Sequence, residues 1–191
     1  MTGNDLPRAA ADTAKIIIAE INEQMPRTHG AAHVPFDRVA AFVHTDRPLA
    51  EHASDTVTEM HSRIGQFIAD LVEDGSVLQL GIGAIPDAVL ARLGEKRDLG
   101  VHTEMFSDGM VDLYATGAIT NRLKAIHPNR IVTSFVNGMR RLFDFVRDNP
   151  ARGNRRGLMH HARWRKKQFR VFAEATLTMP AKTETMVAHE E

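Results

Sequence analysis

With 191 residues the chain has room for one domain or one and a half, and its 43% hydrophobic content suits a globular protein with a real core. No window approaches the roughly 18 uninterrupted apolar residues of a membrane span. Met1 to Arg8 lacks the apolar centre of a signal peptide, and a cysteine count of 0 excludes disulfides, thiolate catalysis and cysteine-ligated metals while agreeing with a reducing cytoplasm. The formal net charge of +0 hides an asymmetry: residues 1–150 carry 15 Lys and Arg against 20 Asp and Glu, whereas residues 151–191 carry 9 against 4. Such a step marks a change in the kind of sequence.

In chain order, Lys15 to Ile21 is a β-branched run that predicts a buried strand, Met25 to Gly30 reads as a loop, and a second short element falls at Val39 to Val43. Thr56 to Asp74 predicts the clearest helix, with Val57, Met60, Ile64, Phe67, Ile68, Leu71 and Val72 recurring at three- and four-residue steps along one face, the pattern of an amphipathic helix. Thr56 and Glu59 have capping-box spacing, and Gly75 is a natural residue to follow the last turn. A strand over 76–80 then leads to a helix over 86–93, with Pro86 at its first position, Asp87 favouring the dipole and Gly94 ending it. A strand near 99–104 leads to a helix near 110–116 closed by Gly117. A strand over 130–136 leads to a helix over 139–148, stopped by Asn149-Pro150.

Alternating strands and helices with short connections imply an α/β fold, a mostly parallel sheet with right-handed crossovers. Ligand sites in such sheets lie at the carboxyl ends of the strands. Gly81-Ile82-Gly83-Ala84-Ile85 and Glu104 both fall at such ends, so the two strands are expected to be parallel neighbours joined by helix 86–93. No internal repeat is present.

Glycines at 81 and 83 let the backbone turn sharply and approach a ligand closely, and N–H groups at the start of the next helix favour negative charge. A tight turn that binds nothing is the plain alternative. A dinucleotide site would also place GxG after a strand and an acid about 20 residues on, but Pro86 occupies the third-glycine position. His102-Thr103-Glu104 spells the H-x-E of zinc deaminases, which requires a P-C-x-x-C that this chain lacks. The 10 histidines show no zinc-ligand spacing, so no metal is expected. His102 alternates with Glu104 onto the same side of a strand, where it either packs as a neutral ring or orients the acid. Ser107-Asp108-Gly109 reads as a helix cap. Met139-Arg140-Arg141 offers either a phosphate contact or solvated cations.

Leu78 to Leu90 and Gly100 to Gly109, flanked by Ala14 to Asn22 and Lys124 to Phe145, resemble the acetyl-CoA hydrolase/transferase family of CoA-transferases, in the branch of the 4-hydroxybutyrate and butyrate:acetate enzymes. The resemblance covers about residues 10 to 150 and rests on the paired motif. It implies that Gly81, Ile82, Gly83, Ala84 and Ile85 form the CoA-binding loop. It makes Glu104 the nucleophile that forms an acyl-glutamyl anhydride and then a glutamyl-CoA thioester, with hydrolysis where water intercepts the anhydride. The implied partners are a short-chain acyl-CoA and a carboxylate such as acetate, with coenzyme A as substrate and no tightly bound cofactor. The resemblance admits a homo-oligomer and implies a cytoplasmic enzyme without nucleic-acid or membrane partners. It divides the chain into 1–52, a remnant of the upstream CoA-transferase domain; 53–150, the start of the downstream domain with the catalytic motifs; and 151–191, a basic tail foreign to the family. The alternative function is an inactive truncated or frameshifted fragment, or a CoA- or nucleotide-binding module without turnover.

Arg152 to Arg170 contains eight Lys and Arg and no acid, which predicts poor packing for that stretch. Its aromatics Trp164 and Phe169 invite a nucleic-acid reading, but no recognised binding module accompanies them. Only Phe169 to Leu177 has the composition of a strand.

Overall fold

The computed structural model describes residues 2–3, 5–30, 33–147, 149 and 158–161. The elements in order are β1 (Thr2–Gly3), α1 (Asp5–Thr13), β2 (Ile17–Asn22), β3 (His29–Gly30), β4 (Val39–Thr45), α2 (Glu59–Leu71), β5 (Val77–Leu78) and α3 (Ala84–Leu90). There follow β6 (Gly100–Phe106), α4 (Asp108–Ala115), β7 (Arg130–Val136), α5 (Arg140–Val146) and β8 (Leu158–His161). The main sheet runs β3-β8-β7-β6-β5 with all neighbours parallel, and β1 joins antiparallel along the end of β7. β2 and β4 form a separate two-stranded parallel sheet. The fold is the expected α/β, mostly parallel arrangement.

β6 and β7 are its spine. Val101, Phe106, Ile131, Val132 and Val136 are all at most 1% exposed, as expected of parallel strands packed inside an α/β layer. Val89 and Leu90 of α3, Met110 and Leu113 of α4, and Leu142, Phe143 and Val146 of α5 complete this core. β5 pairs parallel with β6 through Val77–Gly100 and Leu78–Val101, and α3 lies between them in sequence, as the spacing predicted.

α2 departs from expectation. Its buried residues are Gly65 and Ala69, which pack toward α3, while Met60, Phe67 and Leu71 are 70%, 68% and 54% exposed. A Cβ on Gly65 would lie 2.8 Å from the backbone of Ala88, so the small residues let the two helices approach closely. The large apolar stripe lies on the far side. The cap also differs: Thr58 accepts from the His61 N–H, and the His61 ring accepts from the Thr58 N–H. Gly75 has φ +79°, yet it lies beyond the helix end and donates to the Arg97 carbonyl.

Smaller corrections follow from backbone conformation and pairing. α3 begins two residues before Pro86 because Gly83, at φ 115°, already serves as its N-cap. The expected loop Met25–Gly30 contains β3, and β8 lies inside the basic tail where no strand was expected. Both gain structure from partners: β8 pairs with the open side of β7, and β3 with β8. The strand expected over Phe169–Leu177 lies outside the described residues.

Two buried titratable groups sit between β6 and β7. Lys124 is 5% exposed and donates to the carbonyls of Val101 at 2.6 Å and Arg130 at 2.7 Å, while burial pushes its ammonium down to about 7. His102 is also 5% exposed, with its ring centroid 6.3 Å from that of His127. Burial first, then the charges of Lys124 and His127, lower it to about 4, so the ring is neutral at physiological pH. The stability it contributes is complete above its ordinary value near 6.5 and is lost as pH falls toward 4.

Gly65→Ala should lower stability by about 1–3 kcal/mol, because overlap with the Ala88 backbone outweighs the roughly 1 kcal/mol of helix propensity gained. Urea unfolding measures the balance. Acidifying from about pH 8 to about pH 5 should remove up to about 2 kcal/mol through His102 alone. His102→Gln should flatten that part of the urea-midpoint curve; an unchanged slope would assign the loss to other groups.

Candidate active site

The glycine turn and Glu104 meet through Thr103. After the β5–β6 ladder stops at Leu78–Val101, the Thr103 hydroxyl accepts from the Leu80 N–H at 3.0 Å and lies 2.8 Å from the Leu80 carbonyl. Leu80 immediately precedes Gly81, and Thr103 immediately precedes Glu104. The two motifs are therefore fastened at the same end of the sheet, through residues adjacent to each.

Glu104 itself is held by its backbone. The β6–β7 pairing runs through His102–Val132 and Thr103–Thr133, skips Glu104 and Ser134, and resumes at Met105–Phe135. At the gap the Glu104 carbonyl accepts from the hydroxyls of Thr133 at 3.0 Å and Ser134 at 3.1 Å. Thr103, Thr133 and Ser134 are 0% exposed, whereas the Glu104 side chain is exposed. A fixed backbone with an open carboxylate is what attack on an external electrophile requires.

Within the turn the two glycines differ. Gly83, at φ 115° and ψ −179°, occupies a region essentially reserved for glycine. Gly81 has nothing within 4 Å of where a Cβ would lie, so its neighbours do not demand glycine and its surface is open to an approaching molecule. The first turn of α3 leaves the N–H groups of Ala84 and Ile85 outside the intrahelical ladder, while Pro86 has none to satisfy. Ile82 and Gly83 line a cavity of about 80 Å³ that reaches Asp87, Ser107, Asp108 and Asn137. A neighbouring cavity of about 280 Å³ is bounded by Asp55, Asp87, Asp112 and Arg141. Glu104 lines neither of these two cavities.

The remaining candidates have structural partners. Ser107 occupies the N-cap position of α4 without a side-chain cap bond. Asp108 reaches instead to the next element: it accepts from the Met139 N–H at 2.7 Å and from Arg141 Nε at 2.7 Å. A Cβ on Gly138 would collide with that carboxylate. Arg141 also forms a two-point pair with Asp112, and these two carboxylates raise its pKa further. Glu51 accepts from the Arg140 N–H, and the Arg140 side chain binds Asp144 and Gln24. The start of α5 is thus already satisfied by protein carboxylates rather than standing ready for a phosphate. Asp87 has its pKa raised by burial first, with Asp55, Asp108 and Asp112 adding to it.

Sequence reading missed the hydroxyls of Thr103, Thr133 and Ser134. Their signal was available: polar residues inside otherwise apolar strands, with Thr103 and Thr133 at matching register. Among the described residues no cluster of three or more His, Cys, Asp or Glu could hold a metal ion, and no helix is long and apolar enough to cross a membrane.

No family model matches the chain. It is 45% identical over 147 residues to the 4-hydroxybutyrate coenzyme A transferase of Clostridium kluyveri, a match covering 77% of this chain and 34% of that one. It is 48% identical over 147 residues to the succinyl-CoA:acetate/propanoyl-CoA:succinate CoA transferase of Fasciola hepatica, covering 76% and 31%. The crystal structure of 4-hydroxybutyrate CoA-transferase from Porphyromonas gingivalis superposes with a TM-score of 0.78 at 38% identity, over 84% of this chain and 39% of that one. The chain spans about a third of the length of these curated relatives. In sequence and fold the chain thus resembles one segment of CoA-transferases such as the 4-hydroxybutyrate and butyryl-CoA:acetate enzymes.

Proposed function

We propose that this segment carries the reaction centre of a CoA-transferase, with Glu104 as nucleophile and Gly81, Ile82, Gly83, Ala84 and Ile85 as the surface that receives the CoA thioester. The observation that supports the reading most directly is the tie between Leu80 and Thr103, which joins the residue before an open glycine turn to the residue before an exposed carboxylate. The Glu104 carboxylate attacks the acyl-CoA carbonyl, forming an acyl-glutamyl anhydride and releasing CoA thiolate. The thiolate then attacks the glutamyl carbonyl, giving a glutamyl-CoA thioester and the free acid. An incoming carboxylate reverses the sequence, leaving a new acyl-CoA and the original glutamate. N–H groups of the turn supply donors for the oxyanion of each tetrahedral intermediate. Water attacking the anhydride would give hydrolysis instead.

The substrates in this reading are a short-chain acyl-CoA and a carboxylate such as acetate, with CoA moving between them and no tightly bound cofactor. The setting is cytoplasmic, with self-association allowed. The same reading divides the chain into an upstream remnant at 1–52, the reaction-centre segment at 53–150 and a basic tail at 151–191. A second reading, favoured by the one-third coverage of the relatives and by the bare apolar side of α2, is a segment that binds CoA without turnover.

Incubating the chain with acyl-CoA should leave a CoA adduct on the peptide that contains Glu104, detectable by mass spectrometry. Glu104→Gln keeps the shape but loses the attacking oxygen, so it should abolish the adduct while leaving CoA binding within about twofold. CoA binding with no adduct on the parent chain would select the second reading. An adduct persisting in the variant would remove Glu104 from the mechanism. Gly81→Ala should change stability by less than about 0.5 kcal/mol yet weaken CoA binding, whereas Gly83→Ala should cost about 1–3 kcal/mol through backbone strain. Calorimetry and urea unfolding separate the two effects.

A further inference from the structure

We propose that Thr103 is a positioning residue that holds the glycine turn at a set distance from the carboxylate of Glu104. The inference rests on the functional reading above and adds a residue that touches neither substrate nor reacting atoms. Backbone pairing between β5 and β6 ends at Leu78 with Val101, two residues short of Leu80. Past that point the chain must leave the sheet to make the turn, and Leu80 would lose the partners of both its backbone groups. The Thr103 hydroxyl serves both: its oxygen accepts the Leu80 N–H, and its proton is directed at the Leu80 carbonyl, 2.8 Å away.

That proton is contested. The Met105 carbonyl lies 3.0 Å from the same hydroxyl, and a hydroxyl has one hydrogen to donate. Thr103 therefore faces three backbone groups, the N–H and carbonyl of Leu80 before the turn and the carbonyl of Met105 just after Glu104. The neighbouring strand repeats the device, since Thr133 Oγ1 faces the carbonyls of Glu104 and Phe135. Glu104 is thus bracketed by side-chain hydroxyls along a stretch where the β6–β7 ladder is interrupted. Thr103 is 0% exposed, so water cannot replace its hydroxyl without rearrangement. A backbone bond in its place would continue β5 as a flat strand; a side-chain bond lets the main chain diverge while its distance from β6 stays fixed.

The test uses the full chain and three forms: parent, Thr103→Val, which preserves shape but removes the hydroxyl, and Thr103→Ser, which restores it. Amide hydrogen exchange is followed at Leu80 to Ala84 and, as a control for the whole fold, at Val101 and Val132. Binding of CoA itself is measured by calorimetry. In Thr103→Val, exchange at Leu80, the amide that the hydroxyl accepts from, should rise about tenfold or more with Val101 and Val132 unchanged. CoA affinity should fall about tenfold, and Thr103→Ser should restore most of both effects. Unchanged exchange at Leu80, or an equal rise at all positions, overturns the proposal, because the hydroxyl would then be idle or merely structural. So does loss of turn protection that leaves CoA affinity intact. A parent chain that binds no CoA overturns the functional reading instead, and the exchange pattern with its serine rescue still decides whether Thr103 holds the turn.

Discussion

Parallel pairing between β6 and β7, buried along most of its length, is the constraint from which the rest of the molecule is arranged. A parallel pair cannot be closed by a hairpin, so the chain must cross over, and the crossovers place α3, α4 and α5 where they seal the sheet. Sealing excludes water from the strands, and every polar group between them must then find a protein partner. Lys124 does so at one end through two carbonyls, one from each strand. Thr103, Thr133 and Ser134 do so toward the other, where the ladder opens around Glu104. The same burial that drives His102 to its neutral form thus demands the hydroxyls that fix the Glu104 backbone.

Asp108 plays a comparable part between elements. It opens α4 one residue after β6, yet its carboxylate is spent on the start of α5 and on Arg141 of that neighbouring helix. At 4% exposure it is a buried charge with good partners, which makes it costly to unpair and effective at fixing the distance between the ends of β6 and β7. Gly138 is required there because the carboxylate occupies the space of a side chain. The rim around the turn is therefore built from ionic and hydroxyl contacts, while the body below it is built from aliphatic packing.

Legibility from sequence followed the range of the interactions concerned. Arg130–Val136 was found at its observed limits because a continuous apolar and β-branched run between two polar turns has one reasonable fate. The parallel neighbourhood of β5 and β6 followed from spacing alone. The orientation of α2 did not, because its stripe of large residues outweighs Gly65 and Ala69 in any periodicity, and only the close approach of Ala88 makes small size decisive. β8 escaped notice since four residues among cations gain strand structure only from the edge they pair with. Asp108 had a nearby helix to cap and a distant one it binds instead. The glycine turn and Glu104 stood out through chemistry and family resemblance, whereas Thr103, which joins them, had no local pattern to announce it.

The outward stripe of α2 has a practical consequence for handling the chain. Met60, Phe67 and Leu71 place in water the kind of side chain that usually fills a core. Salts such as sulfate, excluded from protein surfaces, strengthen the drive to hide such groups, while dilute chaotropes weaken it. The chain's retention on hydrophobic resins and its tendency to self-associate should therefore increase along the salting-out series, even where every buried contact of β6 and β7 is untouched.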